Sequence, residues 1–482
     1  GFLSIRTKHI ECLERMLNFN NSVDAKTSWQ EHWKILIYDG FCRDIISTLF
    51  KVADLRKHGV TLHLNINADR QQVQDVSAIY FVQPTRDNVA RIGRDCAAGL
   101  YDSMHLNWSS TIAQDQLHAL ATSVAECEGQ SRIQKVFDQH MNFLSLDHRL
   151  FSLMMADSYV KLNDPEVGDA EMEATISDIV NGLFSVLVTL GVVPIIRCPR
   201  GDAAAMVGER LCKKLRDHFL STNNLFRDQA FSSSSFSRPA LIIVDRSSDL
   251  SVNLQHAWTY EAMLHDVLGM SLNKVTVAET VGEDGRRQPA RVYDLGASDA
   301  FWVDNGGKPF PVVTDEIEER LTAWKAEFAA IGAQGQADFV AEAAGGGGID
   351  ALTRAAQLVP ELTERKRLLD QHTGICTALL SQIKARELDN FFSLESAIVS
   401  GSVYNAKSAL MQVFSAEALG TPEDKLRLFA IYYLCNPQIT DADANEYTQA
   451  LEGLGADLSL VSYLKYLRKI LSLSSRALAL GQ

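Results

Sequence analysis

WKILIYDGFCRDIISTLFKVADLRKHGVTLHLNI, residues 33–66, is the stretch that decides the fold class. Its first apolar run ends at Asp39, a helical pattern follows, and VTLHLNI closes the stretch as a second candidate strand. AIYFVQP at residues 78–84 is a third candidate strand. Strands that alternate with helices are typical of parallel βαβ units. We therefore predict a small, doubly wound, parallel-sheet α/β domain over residues 1–145.

The alternation recurs once more along the chain and then stops. A long apolar helical pattern at 171–190 is followed by the candidate strands VVPIIRC and PALIIVDR, so residues 146–249 are predicted to form a second doubly wound α/β domain. After it, helical patterns dominate, and residues 250–482 are predicted to form a helix-rich third domain. A long helical hairpin is expected within it, at about residues 310–386, with a glycine-rich break at 345–348.

Composition argues against several classes of protein. The formal net charge of −14 disfavours a nucleic-acid-binding surface. The eight cysteines form no C-x-x-C pair, so reduced thiols are expected rather than disulfides or a zinc site. The most apolar stretch, 179–196, is at the lower length limit for a membrane span and contains Pro194, so we interpret it as a buried helix that runs into a strand. Membrane association is then expected only through partners.

Motifs that would indicate catalysis are missing from the sequence, which has no phosphate-binding glycine loop, no H-E-x-x-H and no G-x-S-x-G. The strongest enzyme-like feature is a pair of aspartates that end apolar runs, Asp39 and Asp245. Ligands gather at the carboxyl ends of strands in open α/β sheets, so a metal-dependent hydrolase is one alternative. We favour an interdomain structural knot of Asp245, Arg246 and Asp249, because an arginine fork suits two carboxylates and no further metal ligand lies nearby in sequence.

Two predicted helices, at 111–126 and 131–144, carry apolar residues at helical spacing. These residues are Leu117, Leu120 and Ala121 on the first helix, and Ile133 and Val136 on the second. Such faces most often pack into a core. Two of them side by side can instead leave a pocket for the aromatic anchor of a peptide. A partly exposed pocket is expected, in which Leu120→Lys abolishes peptide binding and leaves the fold intact.

Pro360 lies inside the second helix of the predicted hairpin, in LVPELTERKRLL. An interior proline removes a helical hydrogen bond and kinks the helix or marks a place where it bends. One interpretation is a hinge near residues 357–360. The other is a helix that ends at Val359, because the residue before a proline disfavours helical geometry.

Several segments, taken in order along the chain, resemble one family. They are RMLNFN, WKILIYDGF, DRxxDL at 245–250, QHAWTYEAMLHDVL, VPELTERKRLLD and GTPEDKLRLFAIYYL. Together they resemble the SM (Sec/Munc) family of syntaxin-binding fusion regulators, and within it the Sly branch, which serves transport between endoplasmic reticulum and Golgi. The match runs from about residue 5 to about residue 470.

The resemblance implies an arch of three domains around a central cleft. It places a pocket for the N-terminal peptide of a syntaxin at the five apolar residues named above. It also implies that the hairpin holds SNARE helices, with Pro360 at its hinge, and that Lys51 contacts a closed syntaxin from the cleft. Leu64 departs from the acidic residue that some branches carry nearby, which argues against clamping of a closed syntaxin. Family members continue past the equivalent of Leu471, so the segment that completes the second domain's sheet is expected to be missing.

Residues and resemblance together predict a SNARE chaperone that works by binding alone. It is expected to bind a Golgi-type syntaxin, other SNAREs and the SNARE complex, to promote their assembly in vesicle fusion between endoplasmic reticulum and Golgi, and to contact tethering factors. No cofactor, metal, catalytic residue or nucleic acid is implied. The expected location is the cytoplasm, peripheral at those two membranes. The alternatives are the hydrolase at Asp39 or Asp245 and a passive tethering scaffold.

Overall fold

The computed structural model describes residues 4–21, 33–164, 166–221, 224–226, 238–277, 280–281, 287–297, 299–342, 349–402, 406–415, 419–466 and 468–469. The chain divides into two compact units, Gly1–Ser248 and Asp249–Gln482. The first two predicted domains lie within the first unit, and the division between them at residue 145 stays a prediction.

The first unit is built on a five-stranded parallel sheet. Its elements are α1 (Ile5–Leu17), β1 (Lys34–Tyr38), α2 (Gly40–Leu49), α3 (Val52–Lys57), β2 (Val60–Asn65), β3 (Ser77–Val82), α4 (Arg86–Ala97), β4 (Ser103–Trp108), α5 (Gln114–Glu126) and β5 (Ile133–Asp138). The strand order is β2-β1-β3-β4-β5, with every neighbouring pair parallel. β1 and β3 are buried almost throughout, as strands covered on both faces must be. The predicted doubly wound fold is confirmed, and its strand order reverses between β1 and β3.

The predicted helix at 131–144 is wrong. Residues 133–138 form β5, the edge strand of the sheet, paired with β4. The sequence IQKVFD is rich in β-branched and aromatic residues, which fit a pleated surface. Pairing with β4 overrides the local helical spacing, because the hydrogen bonds that a strand makes are not visible in its own sequence.

The rest of the first unit places two long helices against a second, smaller sheet. Its elements are β6 (Leu144–Ser145), β7 (Phe151–Ser152), α6 (Ser158–Asn163), α7 (Asp169–Leu190), β8 (Ile195–Arg197), α8 (Ala203–Leu220) and β9 (Ala240–Ile242). β8 and β9 are parallel, as the alternation predicts. α7 is long and apolar enough to cross a membrane by length and composition alone, and half of it is buried. Its buried side packs against α8 around Phe184, as in the core helix of a globular protein.

The second unit is helix-rich, as predicted. Its elements are α9 (Tyr260–Val267), β10 (Lys274–Val277), β11 (Thr280–Val281), β12 (Arg287–Gln288), β13 (Arg291–Asp294), α10 (Ala300–Asn305), α11 (Phe310–Glu342), α12 (Ile349–Arg386), α13 (Leu388–Val399), α14 (Ala406–Ser415), α15 (Pro422–Cys435) and α16 (Asp441–Gly453). Two short antiparallel ladders, β10–β13 and β11–β12, were not predicted. The core gathers around Tyr260, Val313 and Leu379.

The predicted hairpin is formed by α11 and α12, of 33 and 38 residues. α12 continues through Pro360, so the interpretation that the helix ends at Val359 is wrong. The glycine-rich break at 345–348 lies outside the described residues.

Candidate functional site

Ile133 and Val136 lie on β5, and a bulge brings both onto one face of the sheet. The register pairs Met104 with Ile133, His105 with Lys135, and Leu106 with Val136. Gln134 is therefore the extra residue on the bulged strand. Residues three apart in a regular strand face opposite ways, and one inserted residue restores a common face. The spacing that suggested a helix is produced here by a bulged strand.

The five predicted pocket residues differ widely in exposure. α5 packs on the face of the sheet that Leu106 and Ile133 share, and Leu120 is its anchor there, 3% exposed. Leu117 and Ile133 are half-buried, and Ala121 is exposed. Val136 is 42% exposed, because it stands on the edge strand. We call this patch of five residues the α5–β5 surface: it is closed at Leu120 and open at Ala121 and Val136.

The burial of Leu120 corrects one expectation. A lysine at this position would not face a groove; its charge would enter the core of the sheet domain. Burying an unpaired charge is strongly destabilising. A loss of peptide binding in Leu120→Lys would therefore not separate unfolding of the domain from damage to the α5–β5 surface. Val136 and Ala121 are the positions at which a charge tests the surface itself.

Hydrogen bonds on the opposite face of the sheet hold the edge strand in place. Asn20 Nδ2 donates to Asn107 Oδ1 at 3.0 Å, and Gln139 Nε2 donates at 2.8 Å to both Asn20 Oδ1 and Asn107 Oδ1. Lys135 Nζ donates at 2.8 Å to the carbonyl of Phe19. Phe19 and Asn20 adopt left-handed φ values of 56° and 55°, which turn the chain after α1 towards β5. In RMLNFN, the signal in the sequence for this turn is the asparagine, a residue that tolerates the left-handed conformation.

One acidic side chain stands at the end of the α5–β5 surface. Asp138 pairs with Trp108 and accepts a hydrogen bond from the backbone N–H of Ile112 at 3.3 Å. Desolvation by neighbouring atoms raises the pKa of the Asp138 carboxyl, although the residue keeps an exposed surface. A basic group on a ligand would offset the cost of that desolvation by pairing with the carboxylate. The α5–β5 surface therefore suits a peptide with an apolar anchor and a nearby positive charge.

The middle of the hairpin is clamped around Trp324. Its indole N–H donates to the carbonyl of Leu362 at 2.8 Å, and the ammonium of Lys366 lies 5.5 Å from the centre of a Trp324 ring. Arg365 forms an ion pair with Glu327 at 3.0 Å. These contacts join α11 to α12 just beyond Pro360, which is itself exposed. The hinge assigned to Pro360 stays a prediction.

The two strand-end aspartates are used differently. Asp39 Oδ1 accepts from the N–H of Cys42 at 2.8 Å and so caps α2. Its Oδ2 accepts from the N–H of Gln83 at 2.7 Å and from Asn88 Nδ2 at 2.9 Å, which joins the ends of β1 and β3. Asp245 accepts from the N–H of Ser247 at 2.8 Å. Asp39 therefore acts as a structural junction between loops.

The remaining sequence-predicted positions have local roles. Asp249 accepts from Ser251 N–H and Oγ at 2.9 and 2.7 Å, and these bonds lower the pKa of its carboxyl. Asp245 and Arg246 belong to the first unit and Asp249 to the second, so the knot of these three residues stays a prediction.

Lys51 is exposed and is the N-cap residue of α3, and its contact with a syntaxin stays a prediction. Leu64 is half-buried against the core of the sheet.

A buried ionic network that was not predicted from the sequence involves His256 of QHAWTYEAMLHDVL and Asp424 of GTPEDKLRLFAIYYL in the second unit. The backbone N–H of His256 donates to Glu395 Oε2 at 2.8 Å. The ring Nδ1 of His256 lies 2.7 Å from Glu395 Oε1. Its Nε2 lies 3.4 Å from Asp424 Oδ1, and Arg386 Nε donates to Asp424 Oδ2 at 3.0 Å. Asp424 also forms a capping box with Thr421 at the start of α15. The two motifs therefore carry the partners that hold α13 and α15 together.

Comparisons with known proteins agree with this geometry. A sequence profile of the Sec1 family matches residues 34–480. Protein sly1 of Schizosaccharomyces pombe is 40% identical over 486 aligned residues, which cover 98% of this chain and 74% of that protein. SEC1 family transport protein SLY1 of Arabidopsis thaliana is 41% identical over 474 aligned residues, 97% of this chain and 74% of that protein. The crystal structure of Sly1p in complex with an N-terminal peptide of Sed5p matches with a TM-score of 0.80 at 29% identity, covering 99% of this chain and 76% of that one. The chain belongs to the Sec1 family.

Proposed function

We propose that the chain is a SNARE-binding chaperone of vesicle transport between endoplasmic reticulum and Golgi. It binds a syntaxin-type SNARE through the N-terminal peptide of that SNARE and promotes assembly of the SNARE complex. The observation that carries this proposal is the half-open α5–β5 surface in a chain similar to Sly1p, which was solved with an N-terminal peptide of Sed5p. It acts from the cytoplasm, peripheral at the two membranes and bound to them through its partners.

The hairpin of α11 and α12 is the proposed template on which SNARE helices are held. Its two helices are held together by the Trp324 clamp and by core residues such as Val313 and Leu369. Holding two helices side by side lowers the entropic cost of their first encounter, which is how a protein can promote assembly without chemistry. Tethering factors are further proposed partners.

The chain acts by binding and not by catalysis. The carboxylate of Asp39 is already shared among three hydrogen-bond donors at the ends of β1 and β3. Among the residues that the structure describes, no group of three or more His, Cys, Asp or Glu side chains is placed to hold a metal ion. Neither observation favours the hydrolase alternative.

Val136→Glu tests the binding surface. We expect at least about a tenfold loss of affinity for the N-terminal peptide of a syntaxin-type SNARE, because a carboxylate would replace the apolar contact for the peptide's anchor. Fluorescence anisotropy with a labelled peptide measures the loss. The variant should fold, since Val136 is 42% exposed.

Val160→Glu is the matched control. Val160 lies on α6 in the same unit and is 45% exposed, but it is not part of the α5–β5 surface. This variant should bind the peptide like the wild type. Equal affinities for Val136→Glu and the wild type would show that the peptide binds elsewhere or not at all.

A further inference from the structure

Two thiols meet between the ends of α4 and α5 in the first unit. Cys96 is buried in the last turn of α4, and Cys127 is the half-buried residue that follows α5. A β-carbon on Gly129 would lie 2.4 Å from Cys96 Sγ and 3.1 Å from Cys127 Sγ, so both sulfurs border the same small space. The two thiols are also close enough to hydrogen-bond with each other. We call them the α4–α5 thiol pair.

The glycine beside the α4–α5 thiol pair is explained by space and not by backbone conformation. α5 ends with the N–H of Gly129 bonded to the Val124 carbonyl at 3.0 Å and with Glu128 at a left-handed φ of 51°. That left-handed position is the one at which helix ends favour glycine. Gly129 comes one residue later and has a φ of −87°, which any residue adopts. A side chain at Gly129 would instead clash with Cys96 Sγ, so the missing β-carbon leaves the room that the two sulfurs occupy.

α4 and α5 are already held close together on this side. One turn before the α4–α5 thiol pair, a β-carbon on Gly93 of α4 would lie 2.6 Å from Ser123 Oγ of α5. Arg132, just before β5, donates from Nη1 to the carbonyl of Cys96 at 2.8 Å. The loop that joins α5 to β5 is therefore docked on the end of α4. Only a small movement of this loop is needed to bring the two sulfurs to the length of a disulfide bond, about 2.05 Å.

The two sulfurs differ in access and in acidity. Cys127 is partly open to solvent, so a small oxidant reaches it first. Burial, and then the neighbouring Cys127 thiol, raise the pKa of Cys96, while hydrogen bonding to Arg132 opposes that rise. Cys96 is therefore a poor first nucleophile, but it is placed to attack the sulfur of an oxidised Cys127. This is the arrangement of a reactive thiol beside a resolving thiol.

We propose that the α4–α5 thiol pair is a site of reversible oxidation, at which hydrogen peroxide links Cys96 to Cys127. The Cys127 thiolate attacks one oxygen of the peroxide, the O–O bond breaks, and Cys127 becomes a sulfenic acid while the first water leaves. Cys96 Sγ then attacks the Cys127 sulfur, its proton goes to the departing hydroxide, and the second water leaves. The two thiols together lose two electrons and two protons, and the peroxide is reduced to two waters.

The disulfide fastens the loop before β5 to the end of α4. A link between two distant positions of the chain restricts the unfolded and partly opened states more than the folded one. Local opening of α4 and α5 should therefore become rarer when the pair is oxidised. The inference does not rest on the proposed function, because it concerns the chemistry of this chain alone.

Peptide mapping of the folded full chain tests the site. After treatment with hydrogen peroxide and blocking of the remaining thiols, digestion without a reductant should give a linked pair of peptides that contain Cys96 and Cys127. Dithiothreitol should release the two peptides again. In the oxidised chain, hydrogen exchange in peptides of α4 and α5 should slow by about tenfold or more relative to the reduced chain.

Cys127→Ser and Cys212→Ser form the matched comparison. Cys212 is an exposed cysteine on α8 in the same unit. Cys212→Ser should still form the link and show the slowed exchange. Cys127→Ser should show neither, and it should fold because Cys127 is partly exposed. The inference is overturned if Cys212 of the wild type is oxidised while the α4–α5 thiol pair stays reduced, if the link forms only after the chain is unfolded in urea, or if the link leaves hydrogen exchange unchanged.

Discussion

His256 is held between two carboxylates in the core of the second unit, and its own charge depends on them. Burial by itself lowers the pKa of His256, but the interactions with Asp424 and Glu395 outweigh burial, so the pKa lies above its ordinary value. Burial likewise opposes ionisation of Asp424, but His256 and Arg386 hold the pKa of that carboxyl well below its usual range. When it is protonated, the imidazole therefore acts as a structural cation between the two carboxylates.

The free energy of unfolding should fall as the pH rises through the raised pKa of His256. A histidine whose folded pKa is raised contributes its full stability below its unfolded pKa, about 6.5, and loses that contribution as the pH passes the folded value. Urea titrations of the wild type between pH 6 and pH 9 measure this loss.

His256→Gln is the comparison for that titration. It removes one member of a buried ionic network, so we expect about 3–5 kcal/mol of destabilisation at pH 6. The difference in stability between variant and wild type should then shrink as the pH rises. Parallel pH profiles for the two proteins would contradict a charged His256.

At the scale of single elements, α12 shows how a helix can contain a proline. Pro360 has no N–H to donate to the carbonyl of Ala356, and the helix nevertheless continues to Arg386. Beyond Pro360, the Trp324 clamp and the burial of Leu362 and Leu369 fix α12 against α11. Packing on the C-terminal side therefore offsets the missing hydrogen bond.

Pro360→Ala should stabilise the continuous form of α12. The substitution restores the donor and raises helix propensity, with a gain bounded by the proline penalty of about 3 kcal/mol. If the continuous hairpin is the form that holds SNARE helices, affinity for the vesicle-side SNARE should rise. Binding of the syntaxin N-terminal peptide is the internal control and should not change. An unchanged affinity for the vesicle-side SNARE would contradict a hinge role for Pro360.

At the scale of the whole molecule, each of the two compact units has its own buried core. Leu36 is fully buried on the inner strand β1 of the first unit, and Leu379 is fully buried in the core of the second. A unit with its own core can unfold cooperatively by itself.

Leu36→Ala and Leu379→Ala should each destabilise mainly their own unit. Each leaves a cavity that costs about 2–5 kcal/mol. Hydrogen exchange followed by mass spectrometry in increasing denaturant should show lost protection in peptides of the first unit for Leu36→Ala and of the second for Leu379→Ala. Equal loss across both units for either variant would show a single cooperative unit.

Features that depend on a local pattern of residues were predictable from the sequence alone. Uninterrupted apolar runs such as the one before Asp39 predicted buried parallel strands, and the length of helical periodicity predicted α7 and the hairpin. The resemblance carried by ordered segments such as WKILIYDGF was enough to identify the family. Each of these signals depends only on neighbours along the chain.

Features that depend on distant partners could be seen only in the folded chain. Residues 133–138 became a strand because β4 lies beside them, and a bulge at Gln134 placed Ile133 and Val136 on one face. Leu120 is buried because α5 packs on the sheet, and Val136 is exposed because β5 is the edge strand; residue type decides neither. His256 meets Glu395 across 139 positions of sequence. Periodicity reports which face of an element is apolar, but packing alone decides what covers that face, and so where the chain is left open to bind.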